Sequence, residues 1–182
     1  MIKYIFWYIF FLSFEIFGQT EEVLRIRKIY ERVNKELVSE TSLPTHSDLT
    51  INTMEADIGL QSCQLKFFYE VGSMNKGNQL PVKMIHVKYN IGAPEIYQEF
   101  LFENAQLIFS FLKDAVLCVE KRYYFSENKL IYYLQEDCEG KNKTEEYKFT
   151  TSREEEAQRH QSKCKAYLEM FRIIQEFKDK NW

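Results

Sequence analysis

The apolar positions of the chain change period twice, and the changes divide it into a helix, a sheet and a second helix. From Thr20 to about Val38, Val23, Ile26, Tyr30, Val33 and Leu37 recur at spacings of three and four, which puts them on one stripe of a helix. Ser39 to Asp57 is polar, contains Pro44 and keeps no sustained period, so a long loop is expected there, with a short strand near Leu49–Thr53. From Leu60 to Phe149 the period is two. Cys63, Leu65, Phe67, Tyr69 and Val71 alternate with polar residues, and Ile85, Val87, Tyr89 and Ile91 share a face after the turn-rich interval Gly72–Pro81. Past Gly92-Ala93-Pro94 come runs at Ile96–Phe102, Leu107–Leu112, Val116–Phe125 and Leu130–Glu136, with a further strand expected at Glu145–Phe149. The connections are too short for helical crossovers, so neighbours should pair antiparallel.

Thr151 to Lys178 returns to the helical period. Cys164, Leu168, Phe171, Ile174 and Phe177 form its stripe, Tyr167 lies beside it, and Ser152 with Glu155 reads as a capping box. The predicted fold is α+β: an antiparallel β-meander of about six to seven strands flanked by an N-terminal and a C-terminal amphipathic helix. Both faces of the central strands carry apolar side chains, so either one helix covers each face or the sheet curls around one.

One internal repeat is visible. EFLFENAQLIFSFLKD (99–114) aligns without gaps on RYYFSENKLIYYLQED (122–137), and each copy reads as strand, tight turn, strand. Two-residue loops at Asn104-Ala105 and Glu127-Asn128 set Phe102 opposite Leu107, Phe100 opposite Phe109, Phe125 opposite Leu130 and Tyr123 opposite Tyr132.

The N-terminus has the three parts of an export signal. Lys3 is the positive start, Tyr4–Phe14 is apolar or aromatic apart from Ser13, and Gly18 is the small residue before QTEE. A membrane-spanning helix needs about 20 apolar residues, and this run is shorter. Residues 1–18 therefore read as a cleaved signal peptide, and residues 19–182 as one α+β domain of a secreted or periplasmic protein with no membrane attachment after cleavage; the alternative is an uncleaved anchor, since Ile16 is bulky where a cleavage site prefers a small residue.

The hairpin sequences LFENAQLIF and YYFSENKLIYY resemble the YY-x-x-NGKLI hairpins of uncharacterised secreted proteins of Bacteroidetes-type bacteria, and the signal ending FGQ is similar to theirs. That resemblance covers the signal and about half of the rest, and it implies an address rather than an activity. The 23-residue offset of the repeat also resembles MORN-type hairpin modules, but the glycines that punctuate such modules are missing and only two copies align.

A net charge of −3 with both signs interspersed excludes the basic stripe that nucleic-acid binding requires. The densest basic cluster, Arg25-Ile26-Arg27-Lys28, sits among helix glutamates and reads as a solvated face.

No catalytic, cofactor or metal motif stands out. His46-Ser47-Asp48 has triad residue types, but adjacent side chains diverge. Glu156, His160 and Cys164 share a helix face at spacings of four. There is no C-x-x-C, and an exported cysteine is more often oxidised than metallated, so they read as structural. His86 lies mid-strand on the less apolar face. Tyr124 and Tyr133, on the face opposite Tyr123 and Tyr132, are the aromatics expected to be exposed, and with His86 they are the candidate ligand contacts. The expected function is an exported, non-catalytic module binding a protein, peptide or glycan without a cofactor. The alternative is a small exported hydrolase using His86 or His46.

Four cysteines in an exported chain point to disulfides. The hairpin register above places Asp137, not Cys138, opposite Cys118, so that pair is disfavoured. Cys138, at a strand end, and Cys164, on the stripe of the last helix, are the expected disulfide, with Cys63 and Cys118 left as free thiols.

Overall fold

The computed structural model describes residues 21–39, 45–55, 59–70, 82–91 and 95–181. The expected signal peptide (residues 1–18) and the turn-rich segments at 72–81 and 92–94 lie outside them. Helix α1 spans residues 21–38. Eight strands follow: β1 (His46–Glu55), β2 (Gly59–Tyr69), β3 (Val82–Ile91), β4 (Glu95–Glu103), β5 (Gln106–Asp114), β6 (Val119–Ser126), β7 (Lys129–Asp137) and β8 (Lys143–Glu146), before helix α2 (Thr151–Asn181). They form one sheet in sequence order, and every neighbouring pair is antiparallel. This is the expected meander between two helices, with one strand more than expected.

The segment read as a long loop is mostly β1, a ten-residue strand paired along its length with β2. Only Leu49 and Ile51 pack on the core, which is the reason alternation was too thin to see. The last helix starts one residue before the expected capping box. Thr150 caps it by accepting the Arg153 N–H on its hydroxyl, and Ser152 lies inside the first turn.

The two helices cover opposite faces of the sheet. Val23, Ile26 and Val33 of α1 pack on Phe68, Met84, Leu101, Ile108, Phe109, Tyr124, Tyr132 and Leu134. Helix α2 packs Ala157, Cys164, Tyr167 and Phe171 on a second layer that includes Phe67, Ile85, Phe100, Phe125 and Tyr133. The buried row of α2 is 157, 160, 164, 167, 171, alternating steps of three and four, so His160 falls inside it and Phe177 is 67% exposed.

The repeat is a pair of matching hairpins. Asn104 and Ala105, and Glu127 and Asn128, all have positive φ between 49° and 63°, as the two central residues of a type I′ turn require. Phe102 pairs with Leu107 and Phe125 with Leu130, as the sequence suggests. Beyond those pairs each hairpin gains one residue. Leu101 pairs with Phe109, so Ile108 is extra; Tyr124 pairs with Tyr132, so Ile131 is extra. These β-bulges put two consecutive residues, Ile108 and Phe109 or Ile131 and Tyr132, against the α1 layer. The expected pairs Phe100–Phe109 and Tyr123–Tyr132 are replaced by Phe100–Ser110 and Tyr123–Tyr133.

The second bulge also decides the disulfide. It shifts β6 against β7 by one residue, Val119 pairs with Asp137, and Cys118 meets Cys138 with their Cα atoms 5.1 Å apart. Cys138 therefore pairs with Cys118 and not with Cys164. Cys164 is a buried free thiol on the α2 stripe, with its pKa pushed up to about 12 by burial, and Cys63 is a half-buried free thiol.

Candidate functional site

The sequence-derived candidates do not form a site. Tyr124 is buried beneath α1, where the Arg27 guanidinium lies 5.5 Å from its ring centroid and donates to its hydroxyl at 3.3 Å. Tyr133 is buried beneath α2, with the Arg153 guanidinium 3.6 Å from its ring centroid and its own hydroxyl donating to Gln135 at 2.6 Å. Both are core residues rather than exposed contacts, because a helix covers each face; the bulge sets Tyr124 beside Tyr132 on the α1 side and Tyr133 beside Tyr123 on the α2 side. In β1, Ser47 faces the α2 layer, with its hydroxyl 3.3 Å from that of Tyr69, while His46 and Asp48 are exposed at 3.9 Å from each other.

His86 is part-buried in a polar groove lined by Asp48, Lys66, Lys88 and Tyr97 on the α1 face. Phe68 and Tyr97 contact its ring edge-on, and its Nε2 lies 3.9 Å from Glu99 Oε1. Burial lowers its pKa, against the pull of Glu99. Glu99 itself is buried and fully engaged: Tyr30 of α1 donates to one oxygen at 2.5 Å and Tyr97 to the other at 2.6 Å. This cluster ties α1 to the sheet.

The opposite face carries a different arrangement. Ile96, Gln98, Phe100 and Phe102 project from β4 toward α2, and Gln98 interrupts that apolar row. Ser110 interrupts β5 in the same way, and His160 interrupts the buried row of α2. Gln98 is 2% exposed, Ser110 0% and His160 5%. Sequence reasoning missed this group. Its signal was present as a polar residue within each of three otherwise apolar rows.

His160 Nδ1 lies 3.1 Å from Ser110 Oγ, and the imidazole packs 4.3 Å from the Tyr123 ring. Burial, with Lys163 close by, pushes the His160 pKa down to about 4, so the ring is neutral at ordinary pH. Glu156, one turn earlier, is also part-buried. Burial favours its neutral form, but Lys121 at 2.7 Å and Arg153 hold its pKa below the usual carboxylate range. Gln98 Oε1 is buried and accepts no hydrogen bond.

Gln98, Glu156 and His160 line a cleft of about 450 Å³ between α2 and strands β3–β5. Its floor is Tyr89, Ile96, Gln98 and Leu112. Asp114 also lines it from β5, and Glu156, Arg159, His160 and Lys163 form the helix wall. Such a cavity, mostly apolar with a few convergent polar groups, has the composition of a small-ligand site. No group of three or more metal-ligating side chains occurs among the described residues, and no described helix is long and apolar enough to cross a membrane. Compared with known proteins, the chain matches no family model, no curated protein and no solved structure.

Proposed function

We propose that the protein is an exported, non-catalytic binding module that takes part of a protein, peptide or glycan ligand into the cleft beside α2. The observation that carries this reading is the cleft itself, where Gln98 from the sheet and Glu156, Arg159 and His160 from α2 converge beside apolar wall. Gln98 Oε1 lies buried without a donor beside it, at a cost on the order of 1–3 kcal/mol that a face built only for stability would avoid. The Cys118–Cys138 disulfide fits an oxidising compartment, where a domain of this size is stabilised by such a link.

Binding fits this site better than hydrolysis does. Ser110 is sealed beneath His160, so its hydroxyl has no path to a substrate carbonyl, and an imidazole with a pKa near 4 is a weak base at neutral pH. His86 has a carboxylate partner in Glu99, yet no Ser or Cys hydroxyl or thiol contacts it among the described residues. His46 is exposed beside Asp48.

Glycan and peptide arrays probed with the full chain from a secreting host, and with Gln98→Leu, test the proposal. A ligand retained by the parent and lost by the variant supports it. Turnover of esters, peptides or glycans in a hydrolase screen, or a ligand held equally by both proteins, overturns it.

A further inference from the structure

We infer that β1 pairs edge to edge with β1 of a second copy of this chain, antiparallel about a two-fold axis at Thr50. The α2 cleft plays no part in this contact. β1 and β8 are the two edges of the sheet. The β8 edge is blunted, being four residues long and carrying Lys143, Glu145 and Glu146. β1 is ten residues long and has no Lys, Arg or Pro. It pairs with β2 in one unbroken register, with no bulge to turn its edge aside. A strand of that kind is a template for another strand.

The backbone decides which groups the edge offers. The Tyr69 N–H donates to the Thr45 carbonyl at 3.1 Å, in line with the β1–β2 register. Bonded and non-bonded positions alternate along an antiparallel pair, so Ser47, Leu49, Ile51 and Thr53 bond to β2. Asp48, Thr50 and Asn52 therefore direct their N–H and C=O groups outward, where no described residue bonds to them, and their side chains are exposed. With the axis at Thr50, Asp48 faces the partner's Asn52, whose amide can donate to the carboxylate. On the α2 side Leu49 faces the partner's Ile51. Both are only partly buried within one chain, at the rim of the α2 layer, and the pairing would cover them. Other registers match poorly. An axis at Asp48 sets two carboxylates face to face, and one at Leu49 sets Ile51 against the partner's Ser47. An axis at Ile51 or Asn52 sets Leu49 or Ile51, respectively, against the partner's Thr53.

Sedimentation velocity of the full chain from a secreting host, across a concentration series, tests the contact. Edge pairing covers a narrow strip, so a monomer–dimer equilibrium is expected rather than a permanent dimer. Thr50→Pro should abolish it. The Thr50 N–H points outward, where proline is tolerated on an edge strand without loss of a hydrogen bond to β2. Asn52→Lys sets an ammonium against Asp48 at two symmetric places and should tighten the dimer about threefold to tenfold, an advantage that salt reduces. Asn52→Asp sets two carboxylates together there and should weaken it by about the same factor. Asn52 is exposed, so these two substitutions decide the outcome even where Thr50→Pro unfolds the chain. A chain that stays monomeric throughout, a dimer kept by a folded Thr50→Pro, or a dimer that neither Asn52 substitution moves overturns the inference.

Discussion

Gln98 and Glu99 are neighbours on β4 that face opposite sides of the sheet, and the two sides treat buried polarity differently. On the α1 side Glu99 is satisfied by two tyrosine hydroxyls, one from the helix and one from the sheet. On the α2 side Gln98 keeps an unpaired carbonyl oxygen. Among the described residues the other buried side-chain polar atoms without a hydrogen bond, on Tyr123, Arg153 and Gln175, also belong to α2 or to the layer it covers. A face built only to be stable pairs or removes such groups. The α1 side reads as the structural face and the α2 side as the one that gives up some stability for a site.

The largest effects test whether both faces are cores at all. Phe125→Ala on the α2 side should cost about 3–5 kcal/mol in denaturant melts, and Ile26→Ala on the α1 side about 2–5 kcal/mol, since both side chains are fully buried. A loss below about 1 kcal/mol for Ile26→Ala, within the range of surface substitutions, would mean that α1 is only loosely docked and the comparison has no structural face.

The disulfide comes next. Cys118–Cys138 links the open ends of the β6–β7 hairpin, with a sequence separation of 20 residues. Its removal by Cys118→Ser with Cys138→Ser should cost about 3 kcal/mol in the chain-entropy picture. Non-reducing peptide mapping should recover that pair, with Cys63 and Cys164 free; a Cys138–Cys164 peptide would contradict the bulged register.

A pH series separates the faces at similar magnitude. His160 has its folded pKa lowered to about 4, against an ordinary value of 6.5. Between those values the unfolded chain binds the proton and the folded one does not, so stability is full above about pH 6.5 and falls as the pH drops toward 4. The His160 contribution should approach roughly 3 kcal/mol and be missing from His160→Phe, which keeps only the acid loss due to His86, whose pKa burial also lowers, provided that variant folds as the parent does by circular dichroism. A parent and variant with the same acid profile between pH 7 and 4 would show that His160 is not held neutral by its surroundings.

A smaller effect belongs to the structural face. Tyr30→Phe removes one of the two donors to Glu99 and should cost about 1–3 kcal/mol, the range for a hydrogen bond to a buried charge. No loss would mean that the Glu99 cluster does not fasten α1.

Much of this architecture is written in the periods of the chain, and the errors have one origin. Both helices and the run of strands follow from spacing, because each helix buries a stripe and each strand a row. The bulges do not. Leu107-Ile108-Phe109 and Leu130-Ile131-Tyr132 are apolar throughout because these strands are buried on both faces, so an extra residue leaves the pattern unchanged. That one-residue shift put Tyr133 on the face of Tyr123 and brought Cys118 to Cys138, while a helix on each face covers Tyr124 and Tyr133 alike. Gln98, Ser110 and His160 were visible only as single polar interruptions. Which face each row meets, and whether the three interruptions converge, depends on the bulged register and on the path of α2 across the sheet.

The measurement that tests the contrast most directly is the stability of Gln98→Leu. With an unpaired carbonyl replaced by an apolar side chain, the variant should unfold at the same denaturant midpoint as the parent or be stabilised by up to about 1 kcal/mol, while losing the ligand. A destabilisation of more than about 1 kcal/mol would show that the Gln98 amide is a structural partner like Glu99. The difference between the two faces, and the cleft as a binding site, would then fall together.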